Sequence, residues 1–194
     1  MVALTPLKQE RSSEMNPFKI NCSRKLFRSR GQAMVELALI FPLLLVFILG
    51  AVEFGNMMMT ALRTASLSRE VTNAGFRDCA SLNGAQADTC LENVTSKVFS
   101  GAQLLLTKFD SRGTIIATIY KKDPNQPVTL VLQKTKGISH ASRYSAGLID
   151  QNIAAKQQRI VIGEVIYQYT PITAIKNFLT LVGFPTEIYE VTIY

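Results

Sequence analysis

Residues 31–59, GQAMVELALIFPLLLVFILGAVEFGNMMM, contain the longest apolar stretch of the chain, and their reading decides its architecture. From Leu37 to Val52, sixteen residues carry no charge. As a helix they cover roughly 24 Å, somewhat less than a hydrocarbon core of about 30 Å. The apolar character continues from Ala33 to Met59 if Glu36 and Glu53 are tolerated, which places these two carboxylates near opposite interfaces. A soluble core helix would normally show a polar stripe, whereas this segment is apolar all round and reads as a single membrane helix. Ahead of it, residues 1–30 hold seven cations (Lys8, Arg11, Lys19, Arg24, Lys25, Arg28, Arg30) against Glu10 and Glu14. Basic flanks stay on the cytoplasmic side, so the N-terminus is expected inside and the C-terminal part outside. The string AVEFGNMMM that follows has a carboxylate and no A-x-A site, which argues against an ordinary cleaved signal peptide.

The chain has 194 residues, 47% apolar and 18% charged, enough for one modest domain beside the anchor. Of the formal +7, the first thirty residues supply +5 (seven cations less two carboxylates), leaving the remainder nearly balanced at +2. The basic excess therefore reflects helix orientation and gives no reason to invoke nucleic acid. Eleven Gly and seven Pro exclude a collagenous chain, and a single long apolar stretch excludes a polytopic transporter.

At the start of the helix, Arg30-Gly31-Gln32-Ala33-Met34-Val35-Glu36-Leu37 sets a lone carboxylate five residues beyond a glycine. A charged carboxylate deep in a membrane helix costs about 2.5–3.5 kcal/mol, so Glu36 should be interfacial, protonated or paired. Arg28 and Arg30 are the nearest cations in sequence; a cut after Gly31 would remove both and create an α-amino group on Gln32 as the alternative partner. Singly, Gly31 also fits a flexible junction, Glu36 a side chain reaching headgroups, and Pro42 a tolerated membrane-helix kink. Ala51-x-x-x-Gly55 fits small-residue helix packing.

Together these residues resemble the processing site of type IV pilin-like proteins. The run GQAMVELALIFPLLLVFILGAVEFGNMMM, with its internal proline and Glu53-Phe54-Gly55, is similar to the N-terminal signature of the TadE-like family, pseudopilins of the tight-adherence (Tad) pilus and secretion apparatus. Gly163–Ile172 (GEVIYQYTPI) is similar to the strand and Tyr-x-Tyr-x-Pro pattern near that family's C-terminus. The resemblance implies that a prepilin peptidase cuts after Gly31, that Gln32 is the first mature residue, and that Glu36 guides processing or assembly. It further implies an inner-membrane protein with a periplasmic domain, other pilin-like subunits and the Tad assembly machinery as partners, and a role in pilus assembly or adhesion. The 31-residue leader is long for such precursors, and Leu37 stands where an aromatic is common.

Four segments are expected: a basic cytoplasmic leader (1–31), a transmembrane helix (32–59), a helical stalk (60–80) with a loose seam at Met58, Leu62, Ala65 and Thr72, and an extracytoplasmic domain (81–194). Cys22 lies in the leader, whereas Cys79 and Cys90 bracket a turn-rich ASLNGAQADT on the oxidising side and are expected to pair. Leu91–Phe109 reads as a helix. Thr114–Tyr120 and Val128–Gln133 read as a hairpin across KKDPNQP, and Arg159–Tyr169 and Glu187–Tyr194 as two further strands. Ile172–Val182 is apolar with a roughly helical period. The fold class is α+β: an extended N-terminal helix followed by a small antiparallel sheet.

No enzyme is indicated. The single histidine, His140, sits in a loop with Ser139 and Ser142 nearby and Asp150 ten residues on, a common composition. No cofactor is implied, because metal-ligand spacing and a glycine-rich phosphate loop are both missing. Two functional classes remain: a processed pseudopilin, or an unprocessed bitopic module that recognises an envelope partner through Tyr144, Tyr167 and Tyr169.

Overall fold

Helix α1 (Ser23–Ala74) ends in a π-helical turn, Gly75–Cys79, in a computed structural model that describes residues 23–123, 126–149, 159–172, 183 and 186–194, with side chains from residue 31. Two units divide the chain, Met1–Phe47 and Ile48–Tyr194. In the first, α1 exposes Met34, Leu39, Phe41 and Phe47, and the helix runs on through Pro42. Apolar side chains facing outward on every side suit lipid rather than water. Among the described residues this is the one helix long and apolar enough to cross a membrane.

In the second unit, α1 buries one stripe: Glu53, Thr64, Leu67, Ser68, Val71 and Thr72, with Met57 and Ala61 partly covered. Spacings of three and four place these residues on a single helix face. Half of that face is hydroxylated. The Thr60, Thr64 and Thr72 hydroxyls donate to the carbonyls of Asn56, Thr60 and Ser68, four residues back, at 2.8, 2.7 and 2.6 Å. Bonded in this way, small polar side chains can enter a core without an orphan group. The expected seam is therefore corrected: Met58 and Leu62 remain more than half exposed, and of the four residues only Thr72 is fully buried. Leu67 and Val71 lie in the main apolar core, so the segment read as a stalk is structurally part of the domain.

Helix α2 (Gly84–Leu105) begins earlier than its apolar period suggests, because extended Asn83 and Gly84 at φ +55° start it inside the turn-rich string between the cysteines. Its stripe of Ala87, Leu91, Thr95, Val98 and Ala102 faces the core. It stops where Leu106 becomes extended, with Lys108 in the left-handed region ahead of a single turn, α3 (Phe109–Arg112).

Four antiparallel strands follow: β1 (Gly113–Lys121), β2 (Thr129–Gly137), β3 (Arg159–Gln168) and β4 (Glu187–Ile193), in spatial order β2-β1-β3-β4. The central strands β1 and β3 are buried on both faces and read as nearly continuous apolar runs, while edge strand β2 is mostly exposed. A bulge between Ile119 and Tyr120 shifts the β1–β2 register. Beyond Ile172, the apolar segment 173–182 lies outside the described residues.

One sheet face packs on α1 and α2 through Leu67, Val71, Leu91, Val98, Ile115, Val161 and Val165. α1 approaches the sheet closely at Gly163: a Cβ there would lie 2.3 Å from Thr72 Oγ1 and 2.5 Å from Val71 Cγ1. Ser68 Oγ uses that proximity, donating to the Gly163 carbonyl at 2.8 Å and lying 2.9 Å from Thr192 Oγ1 on β4. The other face is covered by the 138–149 loop, whose Ile149 and Tyr144 pack with Tyr120, Ile160 and Ile162.

Candidate functional site

Within the first unit, Gly31, Gln32 and Glu36 all lie on α1 and all are exposed. A Cβ at Gly31 would meet nothing within 4 Å, so no packing demand explains the glycine. Gln32 and Glu36 are one turn apart, and Gln32 Nε2 donates to Glu36 Oε1 at 3.2 Å. The residue after the expected scissile bond and the lone carboxylate thus share a face, through the Gln32 side chain rather than an α-amino group.

Within the second unit, Ala51 and Gly55 are exposed, with open space beside Gly55. One face away, Glu53 is completely buried. Tyr169, just past the end of β3, donates its hydroxyl to Glu53 Oε1, and the Ile172 backbone N–H lies 3.1 and 3.2 Å from the two carboxylate oxygens. Burial, reinforced by the bond to Glu53 and its charge, pushes the Tyr169 phenol far above its ordinary value of 10.0. This is the structural role of the YQYTP string. Alternate residues Tyr167 and Tyr169 point to one sheet face; Tyr167 donates to the Thr107 carbonyl at 2.8 Å and stacks on Phe109, while Tyr169 fastens α1 just beyond its apolar run. Glu53, expected near an interface, is sealed inside the domain, where the Tyr169 hydroxyl and the Ile172 N–H satisfy a carboxylate removed from solvent.

A second buried carboxylate, Glu164 on β3, faces the opposite side of the sheet. It accepts from Ser142 Oγ, from the Arg143 N–H at 2.9 Å and from Tyr189 Oη at 2.9 Å, fixing the 138–149 loop. Burial, with the bond to Glu164, likewise drives the Tyr189 phenol upward. Ser142 is thus committed to Glu164, and Asp150 lies outside the described residues. The three tyrosines of the binding-module reading are not exposed: Tyr144 is half-buried and donates to the Leu148 carbonyl at 3.0 Å, and Tyr167 and Tyr169 are buried.

Cys79 and Cys90 form a disulfide with Cα atoms 5.7 Å apart, joining the end of the π-turn to the first turns of α2. Arg159 at the start of β3 donates to the Ala80 and Leu82 carbonyls and to Asn83, closing the short connection.

These features define a class: an α+β protein with a long apolar N-terminal helix, of a length and composition that suggest membrane anchoring, whose C-terminal part enters the domain core. Residues 31–72 match the model of the TadE-like protein family, over a segment that contains both Glu36 and Glu53. Comparisons with curated proteins and with solved structures gave no match.

Proposed function

We propose that the chain is a membrane-anchored minor pseudopilin of a Tad-type pilus or secretion apparatus, processed after Gly31 by a prepilin peptidase and acting in pilus assembly or adhesion, without enzymatic activity of its own. The observation that carries this reading is the TadE-like match beginning at Gly31 and running through the apolar helix, with Glu36 at its fifth following position. Glycine is about 1 kcal/mol less favourable than alanine inside a helix, so α1 opens more readily for a peptidase at Gly31 than at an alanine in the same place. Processing removes Arg28 and Arg30 and leaves a Gln32 α-amino group as the nearest cation to Glu36. The helix then sits in the inner membrane and joins other pilin-like subunits, with the domain on the periplasmic side.

A Glu36→Ala variant, co-expressed with the prepilin peptidase and candidate pilin-like partners, tests the role of the carboxylate. Stable protein with reduced partner co-purification is expected. Undiminished association would remove Glu36 from assembly.

A further inference from the structure

A cleft of about 410 Å³ opens where α1 leaves its apolar run, between α1, the end of α2, α3 and the residues just after β3. Two guanidiniums line it. Arg63 donates to the Leu105 carbonyl at 2.9 Å, and Arg112 donates to Thr170 Oγ1. Among the described residues neither is ion-paired with a carboxylate. The remaining wall includes apolar Met59, Leu105 and Ile172; Ile172 is 75% exposed, and Leu104 and Leu62, the sequence neighbours of lining residues Leu105 and Arg63, are 89% and 58% exposed.

The depth of this cleft follows from the helix. The uncharged run falls about 6 Å short of the hydrocarbon thickness, and a headgroup layer adds about 5–7 Å more. Glu36 is exposed and is expected at one boundary, whereas Glu53 is buried beneath Tyr169 and Ile172, so on that expectation the shortfall is made up beyond Glu53. Exposed Phe54, Met58 and Leu62 supply the apolar surface needed there. By that arithmetic the phosphate plane of the outward-facing leaflet would fall between Asn56 and Arg63, the stretch of α1 that lines the cleft. Guanidiniums bind phosphate oxygens in bidentate fashion and their stems cover apolar surface.

We propose that this cleft holds the headgroup phosphate of an anionic phospholipid, with Arg63 and Arg112 as its ligands and Met59, Leu105 and Ile172 against its glycerol and upper acyl carbons. The lipid would seat the domain on the bilayer. The inference rests on the membrane-anchor part of the reading above and not on processing, so a retained leader leaves it intact.

The test uses the full chain reconstituted into vesicles of phosphatidylcholine and phosphatidylglycerol, extracted in neutral detergent, with retained lipid counted by native mass spectrometry. Wild type is expected to retain phosphatidylglycerol over phosphatidylcholine, and Arg63→Gln with Arg112→Gln to lose about fivefold of that preference per guanidinium removed. Arg63→Lys with Arg112→Lys should keep most of it, and Lys134→Gln, on β2 beside Asp88, should keep all of it. Raised salt should erode the wild-type preference, a readout independent of any variant's folding. Equal retention of both lipids by wild type, or a preference insensitive to salt and to the glutamine pair, overturns the proposal. Complete displacement of phosphatidylglycerol by millimolar inorganic phosphate would assign the cleft to a free anion and overturn it as a lipid site.

Discussion

Glu53 is a carboxylate placed just beyond an apolar run and then removed from solvent, and its donors determine whether that arrangement is stable. Glu53→Ala strands the Tyr169 hydroxyl and the Ile172 N–H, Tyr169→Phe removes one donor from a buried carboxylate that keeps the Ile172 N–H, and Glu53→Gln keeps an acceptor in place. Unsatisfied buried polar groups cost about 1–3 kcal/mol each, so thermal unfolding of the detergent-solubilised chain should rank Ala as most damaging, Phe next and Gln mildest. Equal midpoints for all three would remove the clasp from the stability of the domain.

The two strongly perturbed phenols give a pH signature. Tyr169 and Tyr189 hold their protons more tightly when folded than at the ordinary value of 10.0, so above pH 10 the unfolded chain has lost protons that the native chain retains. Stability contributed by these groups is complete below pH 10 and falls as pH rises beyond it. Phenolate absorbance should lag for these residues and then rise with loss of near-UV circular dichroism, and Tyr189→Phe should flatten that alkaline fall. Little of this was legible in advance. Glu53 and the YQYTP string both stand out in the sequence, but they lie 116 residues apart at the Tyr169 contact, and no local pattern links them.

The elements differ in how plainly they announce themselves. The central strands β1 and β3 are readable because burial on both faces demands unbroken β-branched and apolar runs, and their expected bounds agree with the observed ones to within a residue. The packed face of α1 is not readable by hydrophobicity. Its buried stripe includes Thr64, Ser68 and Thr72, chosen for size and back-bonded to the helix, while the more apolar Met58 and Leu62 face outward. Gly163 is the counterpart of that small face. Gly163→Ala should cost about 1–3 kcal/mol by overpacking and Gly163→Val more, since the added atoms meet α1 side chains and the Ser68 carbonyl. A pair of melts that match wild type would mean that α1 does not press on β3. Likewise, replacing Cys79 and Cys90 together by alanine should lower stability by about 2–4 kcal/mol, read as a shift in the denaturation midpoint of the oxidised chain relative to the variant.

At the scale of the whole molecule, the sequence is most legible where physics is local. Sixteen uncharged residues suggest an anchor without reference to any tertiary contact, and the +5 of residues 1–30 is what its expected orientation rests on. The α+β order follows from period and turn chemistry in the same way. What local reasoning misses is that anchor and domain share one helix: Leu67 and Val71 of α1 lie in the same core as Val161 and Val165 of β3. Such a core forms only when distant segments meet, so the segment 60–80 looks like a free stalk until its partners are known.

The functional account turns on what happens at Gly31. Intact mass and terminal-peptide mapping of membrane-purified protein, made in cells that contain the cognate prepilin peptidase, test it most directly. The account predicts a chain that begins at Gln32, with formal charge reduced from +7 to +2 by loss of the leader. A chain that still begins at Met1 or Val2 would contradict it and leave an unprocessed bitopic anchor.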